Sequence, residues 1–308
     1  MRIAIIGRSE LMYNTLCRCI ENNYIVPIII TAKASPEYTR TATDFEEIAE
    51  HLGITIIISP TLNSKAIFEK IEEANCDLGL SVNYSGIISA KIINLFPIGI
   101  LNAHGGDLPR YRGNACQAWA IINGEERIGL AIYKMKGGYL DGGELILKEY
   151  LYINEKSSIT DCWLWLNNTI PNAFIKAVKI LEKDKNYLIE DTTKSEIESI
   201  RCYPRLPEDG EINWTKNNLE IVRLIKASCE PYGGAFCTYE GEKMIIWKAD
   251  LFFDEENYFA QPGQISSINN GSIDVITGRG KIRIIEIEYR NIRSTPDQVI
   301  KSIRKRLK

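Results

Sequence analysis

Two polar side chains, Asn102 and His104, lie two positions apart at the end of the apolar run GILNAH. On an extended strand, residues two apart project to the same face, so both side chains can address one substrate atom. An imidazole titrates near neutral pH and can take the proton of an attacking amine, while an amide NH2 can donate to the oxyanion of a tetrahedral intermediate. The pair therefore indicates acyl transfer to an amine.

A carboxylate is needed to orient such an imidazole and to balance its charge once it is protonated. Asp141, in the turn GGYLDGG, is the candidate, although Asp-Gly is also a common hairpin signal. We expect Asn102, His104 and Asp141 to form the catalytic set. His51, the other histidine of the chain, lies in a helical pattern and is expected to be structural.

The scaffold for these residues is indicated by the first half of the chain, where short apolar runs alternate with helical patterns. Such alternation predicts an α/β fold, a Rossmann-like, doubly wound and mostly parallel sheet with helices on both faces. Ligands of such sheets bind beyond the carboxyl ends of the strands, where Arg8, Asn83 and Tyr84 also lie. No GxGxxG follows the first strand, which disfavours a nicotinamide redox enzyme.

The second half of the chain has a different pattern. A long helical stretch is expected from Ser158, interrupted at Pro171 because proline cannot donate a helical hydrogen bond. Beyond it, short strands separated by Gly, Asn and Asp predict a small, barrel-like β domain. We therefore expect a catalytic domain over residues 1–200 and a C-terminal β-rich domain over 201–308, with the basic end KSIRKRLK as a solvated helix terminus.

Composition disfavours a nucleic-acid-binding protein, a membrane protein and a metalloprotein. The net charge of -3 and the pI of about 5.7 disfavour nucleic acid as a partner, because such proteins normally carry a basic excess. No stretch approaches the ~20 apolar residues that cross a bilayer, so a soluble, cytoplasmic protein without membrane partners is expected. Eight scattered cysteines, no CxxC pair and two histidines predict free thiols and no metal site. Exposed strands in the β domain are compatible with a homodimer.

Three pieces of sequence, LNAHGGDLPRYRG, NACQAWAIINGE and LDGGELI, occur in this order between residues 101 and 146. They resemble the formyltransferase domain shared by methionyl-tRNA formyltransferase and the sugar N-formyltransferases, whose pattern is Asn-x-His, a Leu-Pro-x-Tyr-Arg-Gly loop and then Asp-x-Gly. The resemblance covers the first domain, and PRLPEDGEINW and CEPYGGAF resemble the start of the β domain that follows in several of these proteins. One departure is Asp107, a carboxylate that favours an amine-bearing sugar or simply caps the loop.

The resemblance implies 10-formyltetrahydrofolate as co-substrate, with His104 as general base, Asn102 at the formyl group or oxyanion, and Asp141 supporting the histidine. The residues expected to line the folate cleft are Ser81, Asn83, Tyr84, Leu108, Pro109, Gly138 and Leu140. The residues expected to bind the second substrate are Arg8, Ser9, Arg110, Tyr111, Arg112 and Asn114. A helix cap explains Ser9 equally well, and bracing of the loop explains Arg110 and Arg112 equally well.

The acceptor of the formyl group is expected to be a nucleotide-linked amino sugar. The acidic pI and the mixed charge of TAKASPEYTRTATDF favour a small substrate over initiator tRNA. The segment NACQAWAIINGE resembles enzymes that act on UDP- or dTDP-linked 4-amino-4,6-dideoxy sugars in bacterial surface-glycan pathways. The alternatives are a methionyl-tRNA formyltransferase, a 10-formyltetrahydrofolate hydrolase in which water replaces the amine, and a folate-binding module without catalysis.

Overall fold

The structure is a computed structural model that describes residues 1–195 and 199–308. The chain forms two compact units, each built from several segments. The first unit contains Met1–Cys116, Ile128–Leu151 and Trp163–Cys202, and the second contains Gln117–Arg127, Tyr152–Cys162 and Tyr203–Lys308. The expected division at residue 200 stays a prediction.

The helices and strands follow the alternation expected in the first half. The α-helices are α1 (Ser9–Glu21), α2 (Ala42–Leu52), α3 (Lys65–Glu73), α4 (Ala90–Ile93), α5 (Cys116–Asn123), α6 (Ile159–Lys183), α7 (Asn218–Ser228) and α8 (Pro296–Val299), with a 3-10 turn at Pro207–Gly210. The first strands are β1 (Arg2–Gly7), β2 (Ile25–Thr31), β3 (Thr55–Ile58), β4 (Leu78–Val82), β5 (Gly99–His104), β6 (Tyr111–Gly113), β7 (Arg127–Met135), β8 (Gly143–Tyr152), β9 (Glu190–Asp191) and β10 (Ile200–Cys202). The remaining strands are β11 (Ala235–Tyr239), β12 (Glu242–Phe252), β13 (Ile265–Asn269), β14 (Ser272–Ile276), β15 (Lys281–Tyr289) and β16 (Ile292–Ser294).

The main sheet has the strand order β3-β2-β1-β4-β5-β7-β8-β9. Strands β1 to β5 pair in parallel, and β7 joins β5 in the antiparallel sense. The chain fills the sheet in one direction from β1 to β3 and in the other from β4 onward, so the order reverses between β1 and β4. The expected doubly wound α/β fold is confirmed. In folds of this kind, ligands bind in the crevice at such a reversal.

The apolar strands are buried on both faces of the sheet. In β1, Ile3 and Ile5 pack into a core that includes α1 and the second half of α6, whereas Ala4 and Ile6 pack into a separate core on the other face. All four side chains are fully buried. A strand with both faces covered has no polar side, which is why β1 appears in the sequence as a continuous apolar run rather than an alternating one.

Helix α6 runs through Pro171 without a break, so the expected interruption there was wrong. Leu166, Ile170 and Phe174 on either side of the proline are buried in the core beneath the sheet. Burying each such side chain contributes about 1.5–3 kcal/mol, so together they outweigh the roughly 3 kcal/mol that a helical proline costs.

The second unit has a six-stranded antiparallel sheet with the order β11-β12-β15-β14-β13, and β16 pairs with β15. Its two edge strands are bridged by residues 306–308. Lys308 exchanges two backbone hydrogen bonds with Thr238 of β11, at 2.7 and 2.9 Å, and the Leu307 N–H donates to the Gly263 carbonyl just before β13 at 2.9 Å. The last residues therefore form extended backbone that closes a barrel-like sheet, and the expected helix terminus was wrong. The two edge strands have backbone N–H and C=O groups that need partners, and the last residues of the chain supply these partners in an extended conformation instead of a helix.

Of the helices in the described part of the chain, none is both long and apolar enough to span a membrane.

Candidate active site

Asn102 and His104 lie within the last three residues of β5, at its carboxyl end. The backbone register places Ser81 of β4 beside Asn102 on one side and Tyr133 of β7 beside it on the other. His104 is 7% exposed, so its ring is held within the protein and not in bulk water. The spacing of two residues thus brings the amide and the imidazole to one end of the sheet, as expected.

The imidazole of His104 is oriented by a backbone carbonyl. Its Nε2 lies 2.9 Å from the Tyr111 carbonyl oxygen, and because a carbonyl can only accept, Nε2 carries the hydrogen. Gly106 makes this contact sterically feasible, since a Cβ there would lie 2.4 Å from Nε2 and 2.7 Å from the same carbonyl. Nδ1 is therefore the nitrogen available for proton exchange.

Asp141 lies on the Nδ1 side of the ring, with 3.6 Å between Nδ1 and Oδ1. This is an ion-pair distance and exceeds a direct hydrogen bond. The carboxylate is fixed by two other donors, the Gly113 N–H at 2.7 Å to Oδ2 and the Tyr133 hydroxyl at 3.2 Å to Oδ1. Asp141 itself has a φ of 45°, in the left-handed region that Asp tolerates better than most residues. Its geometry suits it to balance charge on Nδ1, while the Tyr111 carbonyl orients the ring.

Two residues beside this set were not anticipated from the sequence. Tyr133 is 2% exposed, and its hydroxyl lies 3.2 Å from Asn102 Nδ2 as well as 3.2 Å from Asp141. The Cys116 sulfur lies 3.7 Å from His104 Nε2, and burial raises the pKa of this thiol well above its usual value. The polar tip of Tyr133 inside the otherwise apolar run IGLAIYKM was the available signal, but its partners depend on the register between β5 and β7.

Arg8, Ser9 and Asn83 come together where the sheet order reverses. The Arg8 guanidinium donates to the Asn83 carbonyl at 2.6 Å and to the Lys33 carbonyl at 3.0 Å, and it lies 5.5 Å from the centre of the Tyr38 ring. Ser9 is fully buried and its Oγ lies 3.3 Å from Asn83 Nδ2. Helix α1 thus starts at the crevice with a cation beside it, an arrangement that suits an anion.

The other residues expected at the folate cleft have different environments. Tyr84 donates to the Ser59 carbonyl at 2.8 Å, and burial raises its pKa to about 12. Leu108 is fully buried and packs against Tyr133, so its side chain belongs to the core. Ser81 and Pro109 are also buried, whereas Gly138 and Leu140 are exposed on the turn that leads to Asp141.

The loop residues expected to contact the second substrate divide into two groups. Arg112 braces the loop, because its guanidinium donates to the carbonyls of Pro109 at 3.1 Å and Thr192 at 2.7 Å. Tyr111 is buried and orients His104 through its carbonyl. Arg110 and Asn114 are exposed, with the Arg110 guanidinium 5.0 Å from the centre of the Tyr111 ring.

The carboxylate of Asp107 faces strand β8. It accepts from the Tyr150 hydroxyl at 3.2 Å and lies 3.4 Å from the Lys148 ammonium. These contacts favour the loop-capping interpretation of Asp107 over contact with an amine substrate. Within residues 1–195 and 199–308, no group of three or more His, Cys, Asp or Glu side chains is arranged to hold a metal ion.

Two family models match the chain. The formyl transferase model matches residues 1–178, and the model of the formyl transferase C-terminal domain matches residues 206–302. The chain belongs to the formyl transferase family. This confirms the expectations of an N-formyltransferase enzyme and of formyltetrahydrofolate as its co-substrate.

Comparison with known proteins gives a curated relative in sequence and two solved structures with a similar fold. The methionyl-tRNA formyltransferase of Acetivibrio thermocellus is 28% identical over 297 residues, which cover 94% of this chain and 92% of that protein. The N-formyltransferase from Helicobacter canadensis, solved with folinic acid and dTDP-3-aminofucose, has a TM-score of 0.67 at 19% identity and covers 92% of this chain and 98% of that one. HypX from Aquifex aeolicus, solved with tetrahydrofolic acid, has a TM-score of 0.64 at 16% identity over 98% of this chain, which spans 47% of the HypX chain. At such identities the two solved structures share the fold.

Proposed function

We propose that the enzyme transfers the formyl group of 10-formyltetrahydrofolate to the amino group of a nucleotide-linked amino sugar, a UDP- or dTDP-linked 4-amino-4,6-dideoxy sugar of bacterial surface-glycan biosynthesis. The observation that carries the chemistry is the arrangement at the end of β5, where Asp141 faces His104 and shares the Tyr133 hydroxyl with Asn102. The proposal of a sugar acceptor rests on charge and on the crevice at Arg8.

The reaction begins with attack of the substrate amine on the formyl carbon. A bond forms between the amine nitrogen and that carbon, and the amine proton passes to Nδ1 of His104, since Nε2 is held by the Tyr111 carbonyl. The imidazolium is then paired with Asp141 across 3.6 Å. When the tetrahedral intermediate collapses, the bond between the formyl carbon and N10 breaks. The proton on His104 Nδ1 is then delivered to N10, which gives tetrahydrofolate and the N-formyl product.

Asn102 is the proposed donor to the tetrahedral oxyanion. One N–H of its Nδ2 faces the Tyr133 hydroxyl, and the other contact, to the Ala103 carbonyl, is 3.4 Å long. A negatively charged oxygen is a stronger acceptor than a carbonyl at that distance, so it can take over this second N–H. Truncation of such a donor typically slows an enzyme by about 10²–10³-fold.

The charge distribution supports a small acceptor. The net charge is -3, and the connection from β2 to α2, residues 32–41, carries two cations and one acid. One of these cations, Arg40, is paired with Asp44 at 2.7 Å and lies 4.5 Å from the centre of the Tyr13 ring. A tRNA substrate would favour several unpaired cations for its phosphates. The Arg8 guanidinium donates to two backbone carbonyls, and no carboxylate of the residues that the structure describes pairs with it, so its positive charge beside the start of α1 suits a single diphosphate.

The folate is proposed to lie against the exposed turn with Gly138 and Leu140, near Asn83, while the buried Leu108 and Pro109 would support the loop from beneath. Of the other expected folate residues, Ser81 and Tyr84 would act from beneath the crevice, because both are at least half-buried. For the acceptor, Arg8 is the proposed diphosphate contact, and the exposed Arg110 and Asn114 would bind the sugar. Ser9, which is fully buried, would act from beneath through its hydrogen bond with Asn83.

A methionyl-tRNA formyltransferase is the second candidate, favoured by the 28% identity to such an enzyme over nearly the whole chain. The two candidate functions share the formyl-transfer chemistry and differ in the molecule that accepts the formyl group. A hydrolase, the third, would use the same base on water.

The test measures tetrahydrofolate release from 10-formyltetrahydrofolate with a panel of UDP- and dTDP-linked amino sugars, charged initiator tRNA, and no acceptor, with His104→Ala as the inactive control. Turnover that depends on one sugar, with the formylated sugar found by mass spectrometry, supports the proposal. Turnover with tRNA alone would replace the acceptor, and formate release that no amine accelerates would indicate a hydrolase.

A further inference from the structure

Tyr133 connects two members of the catalytic set through one hydroxyl group. The hydroxyl accepts from Asn102 Nδ2 at 3.2 Å and donates to Asp141 Oδ1 at 3.2 Å. Tyr133 lies directly opposite Asn102 in the antiparallel pair of β5 and β7, and it is 2% exposed. Its ring packs with Leu108, Ala131 and Leu145, so the hydroxyl is held at a fixed place.

The direction of these hydrogen bonds follows from the partners. An amide nitrogen can only donate, so the phenol oxygen accepts from Asn102 and its own hydrogen points to the carboxylate. Burial, together with the negative charge of Asp141, holds the pKa of Tyr133 well above its usual value. The phenol thus keeps its proton throughout the neutral range and the order of donors and acceptors does not change.

We propose that Tyr133 is a positioning residue for formyl transfer, which aims the Asn102 amide and fixes the Asp141 carboxylate opposite His104 Nδ1. This inference rests on the proposed function, because the set it positions is the proposed catalytic set. Asn102 without the hydroxyl can turn about its terminal torsion, which is broad, and present its oxygen where the oxyanion forms. Asp141 would retain the Gly113 N–H on Oδ2 and lose the donor that holds Oδ1.

A purely structural role for this hydroxyl predicts a different result. Such a hydroxyl would contribute to the free energy of unfolding and leave the chemical step unchanged. A positioning hydroxyl acts on the transition state, so its removal lowers kcat and leaves KM for the formyl donor unchanged. The chain contains a matched control in Tyr150, whose hydroxyl donates to the Asp107 carboxylate at the same distance of 3.2 Å on the neighbouring strand β8.

The experiment compares Tyr133→Phe and Tyr150→Phe by steady-state kinetics, with 10-formyltetrahydrofolate and the acceptor that the wild-type enzyme uses, and by thermal unfolding. We expect kcat of Tyr133→Phe to fall roughly ten- to hundredfold, because small misplacements of catalytic groups have effects of this size. KM for 10-formyltetrahydrofolate should stay within about twofold, as expected when only transition-state interactions are lost. Tyr150→Phe should keep the wild-type kcat.

A second comparison isolates the route through Asp141. If Tyr133 acts through the carboxylate, the double variant Tyr133→Phe/Asp141→Asn should lose less activity than the product of the two single losses. Equal kcat in Tyr133→Phe and Tyr150→Phe, or a loss matched by an equal rise in KM, overturns the inference and leaves formyl transfer intact. Absence of amine-dependent transfer in the wild-type enzyme would instead remove the proposed function. Should Tyr133→Phe unfold early, kinetics below its transition temperature give the same comparison.

Discussion

The substitution Asp141→Asn tests the proposed charge balance at the site. It preserves the size of the side chain and removes the negative charge that faces His104 Nδ1 at 3.6 Å. The two side chains are only 8% and 14% exposed, so solvent screens the pair incompletely. Two unit charges at this distance interact by about 4–5 kcal/mol at an effective dielectric constant of ~20.

The expected loss of kcat follows from that energy. Residual water and relaxation of the turn reduce it to about 3–4 kcal/mol, which corresponds to a fall in kcat of roughly 10²–10³-fold at about 1.4 kcal/mol for each factor of ten. The assay is tetrahydrofolate release at saturating substrates. A fall in stability of about 1–3 kcal/mol is also expected, because the Asn side chain has a single acceptor oxygen for the two donors that Asp141 now satisfies.

Asp191→Asn is the matched control for this prediction. The Asp191 carboxylate also accepts one backbone N–H and one hydroxyl, both from Thr193, at 3.0 and 2.7 Å, but it lies on β9 outside the proposed set. Its replacement should lower stability and leave kcat within about twofold, since surface carboxylates seldom influence chemistry elsewhere. If Asp141→Asn retained kcat within the range of this control, the charge-balance argument would be refuted.

Three further predictions concern geometry and stability. Gly106→Ala should lower kcat at least about tenfold in steady-state assays, because the added Cβ would lie 2.4 Å from His104 Nε2 and turn the ring. Asp44→Asn should lower the free energy of unfolding at pH 7 by about 1 kcal/mol, as expected for a helix cap. A backbone N–H and an arginine lower the pKa of Asp44 below 3.8 in the folded state, so its stabilising effect is present above that pH and is lost as the pH falls through the folded-state pKa. Leu307→Ala should cost about 2–5 kcal/mol in denaturant unfolding, because Leu307 is 1% exposed, whereas Ile303→Ala, at a 52% exposed position, should cost little.

A specific outcome would contradict each of these three predictions. A wild-type kcat for Gly106→Ala would mean that the contact between Nε2 and the carbonyl is not needed in turnover. An unfolding difference for Asp44→Asn that persists well below pH 3 would contradict the ionic cap. Equal losses for Leu307→Ala and Ile303→Ala would show that the last residues do not close the sheet of the second unit.

Local pattern was sufficient to predict the doubly wound sheet and the shared location of Asn102 and His104. Residues 3–6 of β1 are all apolar because both faces of the strand are covered, and residues two apart on β5 necessarily share a face. The course of α6 through Pro171 was not predictable, since the burial of neighbouring side chains that offsets the proline arises only in the folded core. The extended end at residues 306–308 likewise depends on two distant sheet edges that a local pattern does not contain.

The position of Asp141 beside His104 was predicted from the sequence, but its contacts were not. The sequence placed a carboxylate near His104 and suggested that it orients the ring, whereas the ring is oriented by the Tyr111 carbonyl through Nε2. This follows from the loop, which returns after Gly106 and brings its main chain against the imidazole, a contact that no side-chain pattern encodes. The carboxylate consequently faces Nδ1, the proposed proton acceptor. Its proposed effect is therefore on the transition state and not on the resting orientation of the histidine. Gly106→Ala should therefore reduce turnover by disturbing the contact of Nε2 with the Tyr111 carbonyl, and Asp141→Asn by removing the charge that faces Nδ1.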